Sequence, residues 1–177
     1  MKRKLFIAVL ALQSAWMLGT AVVQERTLAQ GDVILLETRP VDPRDLLRGD
    51  YVILTYKIGE APGMGQFQPP LRSDLKPGQT VYLVLSKRGD FHEVEWASTE
   101  PVKDVGAGRV VLKGKMGAAH WAGIEFGLER YYVREKTGNP VGKLTVQVAV
   151  SKAGKGVIKQ VFVNGEPYAE AMRRQAH

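Results

Sequence analysis

Two runs of this chain set acidic and basic side chains beside tyrosines, and their spacing defines the chemistry open to it. The first run is Pro40-Val41-Asp42-Pro43-Arg44-Asp45-Leu46-Leu47-Arg48-Gly49-Asp50-Tyr51-Val52-Ile53-Leu54-Thr55-Tyr56. The second is Glu125-Phe126-Gly127-Leu128-Glu129-Arg130-Tyr131-Tyr132-Val133-Arg134-Glu135. Carboxylates that meet in a cleft can exchange protons with a substrate, whereas carboxylates and guanidinium groups on an open face recognise a ligand or partner. The candidate surface drawn from the two runs comprises Asp42, Arg44, Asp45, Arg48, Asp50, Tyr51, Tyr56, Glu129, Arg130 and Glu135.

The same residues have local structural roles. Pro43 fixes its own φ and biases Asp42 toward an extended conformation. Asp42 and Asp45 can accept backbone N–H groups around Arg44, Gly49 permits a sharp turn into the strand that follows, and Asp50 can cap that turn. The first run therefore reads either as a turn-and-strand nucleus or as a polar recognition surface. The second reads as an ordinary amphipathic surface or as a ligand or partner face.

Elsewhere the chemistry thins out. His92, His120 and His177 are the only histidines, and none has a second histidine at metal-ligand spacing. In a strand, alternation sets Glu93 and Glu95 on one face, about 7 Å apart, and His92 on the other; exposed acids are the default there. The chain has no cysteine, which removes disulfides, thiolate metal sites, a cysteine nucleophile and a lipoprotein anchor. No phosphate-cradling glycine loop and no Ser-His-Asp set is present. No catalytic residue, metal or cofactor is assigned.

Short strands separated by turns must position the two runs. Residues 33–37, 51–58, 80–86, 91–97, 109–116, 144–150 and 157–163 carry β-type patterns. Within 51–58, Val52, Leu54, Tyr56 and Ile58 share one face, as expected of a strand covering a core. Residues 80–86 are apolar on both faces, which predicts a central strand. Residues 60–70 read as a loop, 76–79 as a turn, and 151–155 as a hairpin connection. Residues 123–136 fit a short helix or a strand. The tail, 167–177, has helical composition and is expected to fray. Together these predict a mostly β fold, an antiparallel sandwich or partly open barrel.

Ahead of the strands, Lys2-Arg3-Lys4 precede an apolar stretch over residues 5–23 interrupted only by Gln13, Ser14 and Thr20. Nineteen helical residues span about 28 Å, close to the hydrocarbon thickness of a bilayer. The basic cluster should stay in the cytoplasm and send the remainder across. Small residues at Gly19-Thr20-Ala21 also suit signal cleavage, but the length favours an uncleaved anchor. Residues 1–26 are thus expected to be a cytoplasmic stub and transmembrane anchor, and 27–177 a single exported domain. The net charge of +7 includes these three cations; the rest carries 22 cations against 18 acids, scattered without a basic stripe. Nucleic-acid binding is not expected.

On Gly49, Asp50, Tyr51, Leu54 and Tyr56, with the Pro-Val-Asp-Pro-Arg lead-in and the later Glu125–Glu135 run, the chain resembles the GDYXXLXY family of uncharacterised membrane-anchored bacterial proteins. The resemblance covers most of the chain, anchor included. It implies one helix in the bacterial inner membrane, a periplasmic domain, and a multipass membrane protein or envelope component as partner. It implies no activity. An anchor, a β-rich domain and a Gly-Asp pair are also features of type I signal peptidases. Their chemistry needs an upstream serine, and residues 37–47 contain none. The expected function is a non-enzymatic accessory domain. The alternative is a carboxylate-dependent envelope enzyme acting on glycan or peptide material.

Overall fold

The apolar amino-terminal stretch forms one continuous helix, α1 (Lys2–Gln30), in a computed structural model that describes residues 2–39, 51–60, 62–71, 74–118, 123–133 and 140–175. Leu5, Phe6, Leu12, Trp16 and Met17 are 68–73% exposed. A helix apolar on every side yet bare is not a core helix, and this one is long and apolar enough to cross a membrane. It continues past the apolar stretch, and among the described residues its burial falls on the last turns, where it meets β8 and β9. Thr27 is buried there, its Oγ1 donating to the Val23 carbonyl at 2.9 Å. At Gly31 a Cβ would lie 2.5 Å from the Thr27 oxygen and 2.9 Å from that of Val150. Only glycine lets the backbone leave the helix through so narrow a gap.

Beyond Gly31 the chain is built from antiparallel strands. β1 (Asp32–Glu37), β2 (Tyr51–Ile53), β3 (Thr80–Arg88), β4 (Phe91–Ser98) and β5 (Arg109–Met116) come first. β6 (Ile124–Glu125), β7 (Arg130–Tyr132), β8 (Leu144–Val150), β9 (Gly156–Val163) and β10 (Glu166–Pro167) follow, and α2 (Tyr168–Gln175) closes the described chain. One sheet has the order β1-β8-β9-β10, a second the order β4-β3-β5-β6, and β2 pairs with β7 as a two-stranded ribbon. β1 lies beside β4, and β5 approaches β8, so the sheets curl around one core as a partly closed barrel. Ile34, Leu36, Val52, Leu83, Leu85, Leu112, Val146 and Val148 are fully buried at its centre. β3 and β5, and β8 and β9, are the interior strands, and β3 and β8 carry apolar residues on both faces.

Two elements depart from expectation, and one open alternative is resolved. The strand over 51–58 stops pairing after Ile53; Tyr56 makes a single bridge to Thr38, and Lys57–Gly59 form a 3-10 turn. Its inward face is nevertheless Val52, Leu54, Tyr56 and Ile58, all buried. Residues 124–132 are two short strands and not a helix, because Gly123 and Gly127 take φ of +66° and +75°, which no right-handed helix admits. The expected fraying of the tail is corrected through Gln175: Tyr168, Ala171 and Met172 form a buried stripe that seats α2 on the sheet.

Candidate functional site

The two charged runs meet. β2 and β7 pair antiparallel with Tyr51 opposite Tyr132, Val52 opposite Tyr131 and Ile53 opposite Arg130. Pleating divides these residues between two faces. Inward, Val52 joins the core and Tyr131 packs edge-on against Tyr168 at 5.5 Å between ring centroids. Burial, with Tyr131 adding to it, pushes the Tyr168 phenol up to about 12. Outward, the Tyr51 and Tyr132 rings lie 5.9 Å apart, and the Arg130 guanidinium carbon sits 5.3 Å from the centre of the Tyr51 ring. Tyr132 is 71% exposed. Offset aromatic contact and a cation over a ring each favour this arrangement, so the patch is preformed.

Beneath the patch the runs are tied by the backbone. The Leu54 N–H donates to the Glu129 carbonyl at 2.8 Å, and the buried Tyr56 hydroxyl donates to the Leu128 carbonyl at 2.8 Å. Burial, followed by the nearby negative charge of Glu129, raises the Tyr56 phenol far above its usual range. It therefore stays a donor at any working pH. Glu129 bends back so that its Oε1 accepts the Phe126 N–H at 2.5 Å.

Of the ten sequence-derived site residues, half-buried Tyr51 and exposed Arg130 contribute to the outer patch and Glu129 closes the turn beside it. Tyr56 is a correction: it lies in the core, where strand alternation put it, and not at the surface. Asp42, Arg44, Asp45, Arg48, Asp50 and Glu135 lie outside the described residues, as do Gly49, His120 and His177. The Glu93–Glu95 pair is separated by a bulge. Leu85 faces Val94 and Val84 faces Trp96, so Glu95 has no partner residue on β3. Both Glu95 oxygens accept from Arg109, at 2.8 and 2.7 Å, and Glu93 lies 3.9 Å from Arg88. The Arg109 guanidinium holds Glu95 below the usual carboxylate range. Among the described residues no cluster of three or more His, Asp or Glu is placed to hold a metal.

A second feature was not legible in the sequence. A cleft of about 420 Å³ lies between the margins of β1 and β4, bordered by Glu37, Lys57, Glu60, Phe91, His92 and Glu93. Glu37 bridges Lys143 at 2.5 Å and Lys57 at 2.7 Å, and those two ammonium groups hold its carboxyl below the usual range. Lys143 also sits 4.8 Å from the Phe91 ring centre, and Arg39 pairs with Glu60 at the rim. These residues come from distant parts of the chain, and each reads alone as a solvated charge. The carboxylates are committed to cations, which suits recognition better than proton transfer.

His92 links the two sheets at this cleft. Its Nδ1 accepts the Leu35 N–H at 3.2 Å, which satisfies an amide on the open margin of β1 and requires the neutral ring. Burial, with Lys87 adding to it, pushes the His92 pKa below its ordinary value. The unfolded chain thus takes up the proton more readily than the native one. Native stability is complete above about pH 6.5 and drains as pH falls through the depressed native value. Melting curves between pH 8 and pH 5 should show this loss. His92→Asn, which keeps an acceptor and cannot titrate, should lose less across that interval. An identical pH profile for both proteins would dismiss the linkage.

Comparison with known proteins matches the GDYXXLXY protein family over residues 13–161, a span that includes much of α1, the β2–β7 ribbon and the cleft. No curated protein and no solved structure matches the chain. With the family model covering most of its length, and the family's signature tyrosines holding the ribbon from its two faces, the chain belongs to the GDYXXLXY family.

Proposed function

We propose that this chain is a membrane-anchored, non-enzymatic accessory domain that presents the Tyr51–Arg130–Tyr132 face to a membrane or envelope partner. The observation that carries the reading is the in-register β2–β7 pairing, which sets exposed Tyr132 and Arg130 against half-buried Tyr51 on one face. Tyr and Arg dominate binding hot spots, because each gives large contact area and directional polarity from few rotatable bonds. The anchor is α1, and Lys2-Arg3-Lys4 on its amino-terminal side argue for a cytoplasmic start and an extracytoplasmic, periplasmic domain. A multipass membrane protein is the partner class that fits a domain tethered at the bilayer. A carboxylate-dependent reaction at the cleft or at the Glu93–Glu95 pair has less support: Glu37, Glu60, Glu93 and Glu95 are each paired with a cation.

The test is photo-crosslinking in native membranes with a photoreactive phenylalanine analogue at position 132. The expected result is a discrete adduct with one multipass protein, absent when the analogue replaces exposed Lys159. Arg130→Ala or Tyr51→Ala should weaken capture about tenfold, the usual cost of truncating an interface anchor. A chain that repeatedly comes down alone, or identical adducts from positions 132 and 159, would end the proposal.

A further inference from the structure

We infer that the β8–β9 hairpin tip, residues 151–155, rests on the lipid headgroups beside α1 and contacts anionic phosphates through Lys152 and Lys155. The inference rests on the reading of α1 as a membrane anchor. Its warrant is the docking of the helix end. The contacts of α1 with the sheet are made to β8 and β9, Thr27 is buried there, and Gly31 meets the Val150 carbonyl where Asp32 pairs with Val150.

Apolar sequence ends at Val23, so Thr27 stands four residues, about 6 Å, beyond the hydrocarbon edge. The headgroup layer is itself roughly 5–8 Å deep on each side. The hairpin that covers Thr27 therefore lies at headgroup depth, and β1 leads away from it. Glu37 and Lys143 sit at the far end of that strand, six residues or roughly 20 Å distant.

The chemistry of this end suits anionic lipid. Lys152 and Lys155 flank the tip and are exposed. The tip is held to β5 by the Lys113 N–H, which donates to the Gly154 carbonyl at 2.8 Å, while the Lys113 ammonium lies over the Tyr82 ring, 5.9 Å from its centre. Arg26 is exposed on the last turns of α1. Lys152, Lys155 and Arg26 thus stand against the exposed acids of the helix end and the β1 start, Glu25 and Asp32. Val33, 44% exposed, adds a bare apolar side chain just past the helix. Long basic side chains beside an exposed apolar residue at the foot of a membrane helix match the interface, where cations meet phosphate and apolar groups reach the acyl boundary. The consequence is a second point of attachment that fixes the tilt of the domain and the direction in which the Tyr51–Tyr132 face looks.

The absence of cysteine makes the test direct, because one introduced cysteine gives one label. The full-length chain is placed in nanodiscs of phosphatidylcholine, with or without phosphatidylglycerol, carrying a trace of headgroup-quencher lipid. A fluorophore on Ala153→Cys should be quenched, about twofold more with phosphatidylglycerol present. Lys152→Glu with Lys155→Glu, or high salt, should abolish that excess. A label on Val141→Cys, at the far end of β8, should stay unquenched. Quenching at 153 that ignores lipid charge, or that equals the level at 141, overturns the inference. A label on Ala11→Cys, read with an acyl-chain quencher, separates the two failures: no quenching there overturns the anchor itself and the hairpin contact with it.

Discussion

Tyr56→Ala is expected to cost the domain about 3–5 kcal/mol, and Tyr56→Phe about 1–2 kcal/mol. The ring is buried and stands edge-on to Phe126 at 6.2 Å and 81°. Truncation to alanine opens a void between the motif strand and the 124–132 segment, which a close-packed interior only partly collapses to fill. Phenylalanine keeps the ring but leaves the Leu128 carbonyl, which accepts the hydroxyl at 2.8 Å, without that donor. Buried acceptors stranded in this way cost more than an average hydrogen bond contributes. Urea denaturation of the purified chain reads both values. Equal losses for the two variants would assign the whole effect to the hydroxyl, and no loss for phenylalanine would deny the hydrogen bond. Crosslinking from position 132 should survive Tyr56→Phe, because the outer face of the ribbon does not contain the hydroxyl.

The contrast between Tyr51 and Tyr56 follows from their separation. Five residues is an odd number, so a pleated strand sends one tyrosine out and the other in, while Leu54 keeps company with Tyr56. The motif thus encodes a wall with two different sides. Its inner members fasten the strand to the Leu128–Glu129 backbone, and its outer member supports Arg130 and Tyr132. An accessory role that uses the outer side alone would leave the inner side under purely structural constraint.

Strand pattern was the most readable level of this sequence. The runs over 80–86, 109–116, 144–150 and 157–163 lie on β3, β5, β8 and β9, since continuous or alternating apolar residues between turns leave few other solutions. The β9–β10 hairpin was missed although Asn164-Gly165, with φ of +52° and +85°, is the strongest short hairpin signal there is. The bulge at Glu95 was not legible: a bulge exists only relative to a partner strand, and β3 supplies it. The cleft was hidden for a similar reason. Glu37, Lys57, His92 and Lys143 are ordinary surface types in sequence, and only the pairing of β1 with β8, the 3-10 turn against β1 and the approach of β4 make them neighbours. The candidate surface was half legible. Its two halves were visible as runs, but their pairing needed the register of β2 on β7.

Gly123→Ala should be the most damaging small substitution in the described fold, costing about 3 kcal/mol or more, whereas Gly127→Ala should cost about 1–2 kcal/mol. Both glycines have positive φ, +66° and +75°, so both variants carry the penalty of placing an L side chain in the left-handed region. They differ in space. A Cβ at Gly127 would meet nothing within 4 Å, while one at Gly123 would lie 2.2 Å from the Gly59 carbonyl oxygen. That oxygen belongs to backbone and cannot swing away like a side chain. Gly59 is itself fixed by its N–H donating to the Tyr56 carbonyl at 3.0 Å, and the Gly123 carbonyl accepts the Gly117 N–H at 2.8 Å. Relief therefore requires the end of the motif strand to separate from the segment that carries β6 and β7. Hydrogen exchange should accelerate across 124–132 in Gly123→Ala and hardly at all in Gly127→Ala. Equal losses of stability in the two variants would mean that conformational strain alone is at work, and that the backbone contact between Gly59 and Gly123 does not hold the ribbon in place.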